Sequence, residues 1–181
     1  MSRLRADCIE RLLAYDRACV VALNRALVYR PCTLLARAIS RLGDGELWLA
    51  LIVVLALLRD RAGARCALQL AAAATAGLLV YLVMKRRAAR ARPYVHLKEL
   101  HLCARPLDEY SFPSGHTLHA VAFAIIGSAH FPSLALLLVP FAVLTGVVRV
   151  VLGLHYPSDV LAGVVVGGSL AALSLVAVPV P

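Results

Sequence analysis

Aromatic residues are scarce in this chain: Phe, Tyr and Trp make up 6% of its 181 residues. Acidic residues are scarce too, with 10 Asp and Glu against 19 Lys and Arg, for a formal charge of +9. A basic protein that grips nucleic acid interleaves its cations with aromatic rings on which bases stack. Here the cations sit at the ends of apolar runs without such rings, which excludes nucleic acid as a partner. Anionic membrane lipids and phosphorylated substrates fit better. The five cysteines, Cys8, Cys19, Cys32, Cys66 and Cys103, are odd in number and lack metal-ligand spacing, so neither a structural zinc nor a required disulfide is expected. No Asp-rich metal cradle is visible, and the expected cofactor and metal complement is none. Internal repeats and low-complexity linkers are absent. Charges recurring every few positions near the start, among them Arg3, argue against a cleavable signal peptide.

What the chain has in excess is apolar residues, 61% of the total, with a mean hydropathy of +0.82. A soluble domain is nearer half apolar, so this composition points to an integral membrane protein. In residues 3–30, Ile9, Leu12, Leu13, Val20, Leu23 and Leu27 recur near one helical face while Arg11, Arg17 and Arg25 interrupt any span. That pattern predicts a helix lying at the membrane interface, ended by Pro31. A second short amphipathic helix, capped by Thr33, is closed by Gly43-Asp44-Gly45. Residues 1–42 are thus read as an interfacial segment that acts as scaffold, and residues 43–181 as a transmembrane core. Apolar runs follow at 47–58, with Trp48 as an interfacial anchor, and at 66–84, 117–131, 134–148 and 160–178. The expected fold is an all-α polytopic bundle of about five to six membrane helices behind the amphipathic one.

Counting crossings brings three polar clusters to one membrane face: residues 85–92, 114–116 and 149–159. A charge at mid-membrane costs about 2.5–3.5 kcal/mol, so polar clusters gathered at one end look like a site. Lys85 and Arg92 are seven apart and share a helical face, where an ammonium and a guanidinium can address one anion. Arg86, Arg87 and Arg90 lie off that face and read as a basic stop snorkelling to headgroups. In Pro113-Ser114-Gly115-His116, Ser114 is a natural N-cap, Gly115 lets backbone approach a ligand, and the helix start favours a phosphate-sized anion. Arg149 adds a second guanidinium. His155 precedes a helix opening at Tyr156-Pro157, and Asp159 in its first turn can reach back to the His155 ring. A carboxylate holding one imidazole N–H leaves the other nitrogen free to attack. Together these residues read as a metal-free phosphoryl-transfer site. Lys85, Arg92, Arg149 and backbone N–H groups neutralise the phosphate. His155 forms a phosphohistidine, and His116 protonates the leaving oxygen and then activates water.

Lys85…Arg92-Pro93, Pro113-Ser114-Gly115-His116 and Arg149…His155…Asp159 resemble, in order and in internal spacing, the three signatures of the type-2 phosphatidic acid phosphatase superfamily. The resemblance covers residues 40–178. It implies a helical membrane phosphatase acting on lipid phosphates or diphosphates, with the roles just given. One departure stands out: Val148 occupies the position before Arg149 where the family usually has Ser, which removes one hydroxyl from the phosphate shell. Bacterial relatives usually have the site at the periplasmic surface, and Arg59, Arg61 and Arg65 on the opposite turn agree with that orientation. The cations of the site would reverse a simple positive-inside count, but they have their own reason to be there.

The short loop 94–112 leaves no room for a separate substrate domain, so the expected substrate is a lipid entering sideways between helices. Undecaprenyl diphosphate, phosphatidylglycerophosphate and phosphatidic acid are candidates. An alcohol replacing water in the second step would make a phosphotransferase. A non-catalytic protein binding anionic lipid would explain the charge but not two histidines and Asp159 beside the cations. A vanadate-dependent haloperoxidase uses a similar constellation, but the apolar runs argue against it. His119 reads as a packed neutral residue, Asp108, Glu109 and Tyr110 as solvated loop, and His96, His101 and His130 as structural.

Overall fold

The computed structural model describes residues 2–58, 60–104, 106 and 108–180, with side chains from residue 7 onward. Arg59 and the side chain of Arg3 lie outside the described residues. Within them the chain is helical and contains no strand. The helices are α1 (Ser2–Asn24), α2 (Arg30–Leu42), α3 (Glu46–Leu57), α4 (Arg61–Ala88), α5 (Pro93–His96), α6 (Gly115–His130), α7 (Ala135–Val151) and α8 (Pro157–Ala177), with 3-10 turns at Arg25–Val28 and Pro132–Leu134.

The centre of the bundle is α6, packed by α4, α7 and α8. Its Leu118, Ala120, Phe123 and Ile126 are buried. Lipid tails are as apolar as Leu, so helices in a membrane associate through close packing rather than by leaving water. The α6–α8 contact shows this directly. A Cβ on Gly163 would stand 2.7 Å from the Ser114 carbonyl oxygen, and Gly167 lies one turn on against the Leu118 backbone. Outward faces carry large exposed apolar side chains, among them Leu79, Leu136, Leu173 and Val176. In water such a surface would aggregate; in a bilayer it is the solvated surface.

Among the described residues three helical segments are long and apolar enough to cross a membrane: Arg61–Ala88, Pro132–Val151 and Pro157–Ala177. A fourth is reached if Asp7–Val28 and Arg30–Leu42, bent by 115° at their junction, count as one broken span. With 16 residues α6 is shorter, and so is α3 with 12.

Local details depart from the sequence expectations. The first helix stops at Asn24, not at Pro31. Asn24 leaves the helix to tie three segments together, donating to the Val151 carbonyl at 2.8 Å and accepting from the His101 N–H at 2.7 Å. Pro31 sits instead in the first turn of α2, where its missing N–H is not needed. The N-cap there is Tyr29, and the Thr33 hydroxyl donates to the Leu27 carbonyl at 2.8 Å rather than capping. Trp48 is no interfacial anchor: it is buried against Phe123 and Phe141, with ring centroids 4.8 and 5.5 Å away. Arg61 and Arg65 of the charged turn already belong to α4, whose N-cap Asp60 accepts from the Gly63 N–H at 2.5 Å.

Candidate active site

Four chain ends converge on the site, each for a local reason. After α4, Ala89 adopts a left-handed conformation (φ +43°), which stops the helix and turns Arg90 to Arg92 into extended chain. That segment pairs with the end of the 94–112 loop, the Ser111 N–H donating to the Arg90 carbonyl at 2.8 Å. At the end of α7 the Leu154 N–H bonds the Arg149 carbonyl (3.1 Å) and the Gly153 N–H bonds the Val150 carbonyl (2.9 Å). This is a Schellman motif, and its left-handed position is filled by Gly153 at φ +67°. The motif fixes the six-residue offset from Arg149 to His155. The start of α6 is tied to α8 by the Ser114 N–H donating to the Asp159 carbonyl oxygen at 3.0 Å.

These ends enclose a cavity of about 430 Å³. Lys85, Arg92, Gly115, His116, Arg149 and His155 all line it, and Leu49, Ile52 and Leu78 from α3 and α4 give it an apolar flank. Ser114 and Asp159 are fully buried behind that lining.

His155 is buried, and its Nδ1 lies 2.6 Å from the Ser111 carbonyl oxygen. A carbonyl only accepts, so Nδ1 carries the proton and Nε2 keeps its lone pair. The expected partner, Asp159, is 3.8 Å from Nδ1, beyond hydrogen-bond reach. Asp159 is held away because it completes the capping of α8, one oxygen accepting from the Tyr156 N–H at 2.8 Å. Burial, then the nearby charges of Arg149, Arg92 and Lys85, hold the His155 ring well below the usual imidazole pKa, so it stays neutral.

The second Asp159 oxygen accepts from Arg90 at 2.6 Å. Arg90 is therefore no snorkelling stop signal. It also donates to Ser158 Oγ (2.7 Å) and to Asp16 of α1 (2.8 Å), and its guanidinium lies 4.1 Å over the Tyr156 ring. Asp16 in turn accepts from the Ser158 N–H at 3.0 Å and from its hydroxyl. With two buried carboxylates beside it, Arg90 is held above even its ordinary pKa despite the burial that opposes this.

Asp108 is likewise not a solvated loop residue. One oxygen accepts from Lys85 Nζ and Tyr81 Oη, each at 2.5 Å; the other accepts from Arg92 Nη2 at 2.7 Å. Arg92 Nε donates to the Asp108 carbonyl at 2.9 Å. Burial pushes the Asp108 carboxyl up, but the bonds from Lys85, Tyr81 and Arg92 outweigh it and hold the group below the usual carboxylate range. Arg149 donates to Ser40 Oγ of α2 at 2.7 Å, and its buried Nε has no partner among the described residues. Val148 packs with Leu27, Ala36 and Ile39 instead of lining the cavity, so the hydroxyl beside Arg149 comes from Ser40.

His116 Nε2 lies 2.6 Å from Asp44 Oδ1, in the loop between α2 and α3. Ser114 occupies the N-cap position of α6, but its hydroxyl pairs with Thr117 Oγ1 at 3.0 Å and caps no N–H. Gly115 is needed for packing on Tyr81: a Cβ there would stand 2.8 Å from the ring. His119 lies near the Gly115 carbonyl (Nδ1, 2.9 Å) and the Ala74 carbonyl (Nε2, 3.2 Å), a packed residue as expected.

Asp44, Asp108, Ser111, Asp16 and the pairing of Arg90 are thus what motif reading missed. The Ser111 contribution is a backbone carbonyl and leaves no signal in the sequence. Among the described residues no group of three or more His, Cys, Asp or Glu is gathered to hold a metal ion.

Comparison with known proteins agrees with this architecture. The chain is 36% identical over 169 residues to decaprenylphosphoryl-5-phosphoribose phosphatase of Mycobacterium tuberculosis, covering 91% of each chain. It is 38% identical over 97 residues to lipid A 1-phosphatase of Rhizobium etli, covering 51% of this chain and 41% of that one. Among solved structures, it superposes with a TM-score of 0.73 on a transmembrane PAP2-type phosphatidylglycerolphosphate phosphatase from Bacillus subtilis, at 26% identity over 91% of this chain and 84% of that one. Aquifex aeolicus LpxE also gives a TM-score of 0.73 at 26% identity, over 81% and 87%. Residues 66–180 match the PAP2 superfamily, and the chain belongs to that family as an integral membrane phosphatase.

Proposed function

We propose that this protein hydrolyses a phosphate monoester on a lipid or lipid-linked headgroup through a phosphohistidine, without a resident metal. The observation that carries the reading is the gathering of His155, His116, Lys85, Arg92 and Arg149 around one cavity with an apolar flank. In the first step His155 Nε2 attacks phosphorus, a P–N bond forms, and the bond to the lipid oxygen breaks. His116 gives its proton to that oxygen. In the second step His116 takes a proton from water, the water oxygen attacks phosphorus, the P–N bond breaks, and inorganic phosphate leaves. Lys85, Arg92 and Arg149 offset the charge on the equatorial oxygens. Ser114 and Gly115 form the helix start beside the phosphate. Asp159 acts from behind, holding the backbone that carries His155. Asp44, 2.6 Å from Nε2, orients the His116 ring.

The substrate class follows from the lipid-facing flank and from relatives named for a decaprenyl-linked phosphoribose and for lipid A. We place a lipid-linked phosphosugar ahead of phosphatidylglycerophosphate, phosphatidic acid and undecaprenyl diphosphate. Further parts of the reading are that α3 and α6 also cross, making about five to six spans with the N-terminal pair, and that residues 1–42 support a core formed by 43–181. The catalytic end faces the periplasm of a bacterial inner membrane, with Arg61 and Arg65 at the cytoplasmic end. The test is phosphate release in detergent across that substrate panel, with and without EDTA and with His155→Ala as the blank. Turnover that survives the mutation, or that EDTA abolishes and magnesium restores, sinks the reading.

A further inference from the structure

Three cations without a phosphate would be an expensive thing to bury, and Asp108 lies where their counter-ion is needed. Its carboxylate bonds Lys85 and Arg92 together, the two cations of the 85–92 cluster. Its two oxygens accept four donors, from Lys85, Tyr81, Arg92 and the Tyr110 N–H, the first three in the manner in which phosphate oxygens would take them. Lys85 and Arg92 are held rigidly, with side-chain exposures of 6% and 1%, whereas that of Asp108 is 29%. Arg92 is also pinned by the Leu154 carbonyl at 2.9 Å. If one member of this group gives way, it is therefore the carboxylate, which borders solvent. The Arg92 bond to the Asp108 backbone carbonyl can persist while the side chain rotates.

We propose that Asp108 is an internal competitor for the phosphate seat: its carboxylate occupies Lys85 and Arg92 between turnovers and is displaced when the substrate phosphate binds. The inference rests on the assignment of those cations to the substrate. A tethered carboxylate acts at a high effective concentration, so it raises the threshold for every anion alike. Weakly held anions, including the singly charged phosphodiester headgroups that fill any membrane, then stay out. The substrate phosphate brings a second negative charge and can recruit the unpartnered Nε of Arg149 as well. After hydrolysis the returning carboxylate helps expel inorganic phosphate. The competing structural role, a fixed brace that preorganises Lys85 and Arg92, predicts the opposite sign for every binding measurement below.

The test is inhibition by inorganic phosphate, measured in detergent on wild type, Asp108→Asn and Asp108→Ser. Removing the charge should tighten phosphate about tenfold, the factor expected if the seat is self-occupied roughly nine-tenths of the time. KM for the lipid substrate should fall in parallel, while kcat stays level or drops as phosphate release slows. Asp108→Ser, which draws the side chain out of reach, carries the same expectation should the amide variant fail to fold. Phosphate inhibition that is unchanged or weaker in the variants overturns the role given to Asp108. A wild type that phosphate does not inhibit, with turnover that survives His155→Ala, brings down the phosphatase site itself, which is a different failure.

Discussion

The two sides of the cavity are built differently. Behind His155, Asp159, Arg90, Ser158 and Asp16 bond one another and the first turn of α8, and the Ser111 carbonyl fixes the ring. Across from it, the cations meet a half-exposed Asp108, and Arg149 keeps a buried Nε without a partner among the described residues. One wall is tied to itself; the other gathers cations around a carboxylate that borders solvent. On the proposed roles the contrast separates holding a nucleophile from binding a phosphate, and mutations on the two sides should fail differently.

The largest effect is expected for His155→Ala: on the proposed phosphohistidine route the phosphoryl group then has no acceptor, and phosphate release should fall at least about a thousandfold. Size-exclusion profile and helical circular dichroism should stay unchanged. Next is Arg149→Lys on the open side. Loss of the planar fork should cost about a hundredfold in kcat/KM with little change in thermal midpoint. Arg90→Gln on the closed side should show the reverse balance. Leaving Asp16 and Asp159 without their cation should cost about 3 kcal/mol of stability, read as a lower thermal midpoint, with turnover falling as a consequence.

The pH profile sharpens the same comparison. The His155 pKa lies well below the ordinary value, so its neutral, attacking form persists below the usual pKa of about 6.5. Its protonation should not limit the rate around pH 6.5, and a kcat/KM limb assigned to His155 there would contradict the closed wall. Asp108 is shifted in the same direction and shows it in stability. Its lowered carboxyl contributes stability above the unfolded pKa of about 3.9, lost as pH falls through the folded one. The smallest effect belongs to Ala89→Gly. Relieving a left-handed non-glycine should stabilise by about 1 kcal/mol, measured by thermal denaturation, without moving kcat.

Much of the open side is legible in the chain itself. Lys85, Arg92, His116, Arg149 and His155 stand out in the chain and all line one cavity, but Arg92 reaches it from extended chain beyond α4 and not from the helical face that a seven-residue spacing from Lys85 predicts. The closed side is not, because its bonds depend on tertiary register. Arg90 looks like any basic residue after a membrane helix until Ala89 turns it inward towards Asp159. Asp108 looks like loop polarity until residues 110 and 111 pair beside Arg90 and Ala91 and bring it over the cations. The Asp159–His155 pairing fails for a local reason: a carboxylate at the third position of a helix is claimed by the backbone N–H of its own cap. Trp48 departs from expectation because composition says nothing about which face of a short apolar helix meets Phe123 and Phe141.

Asp16 has a practical consequence for anyone recombining these enzymes. It comes from α1, upstream of the 66–180 stretch that matches the family, yet it is buried against Ser158 and Arg90, close behind His155. A chimaera that grafts a relative's leading helix onto this core must therefore bring an acid at the matching position. Otherwise the graft would strand a guanidinium beneath the cavity, and a chain trimmed to the family-matching portion would inherit the same fault.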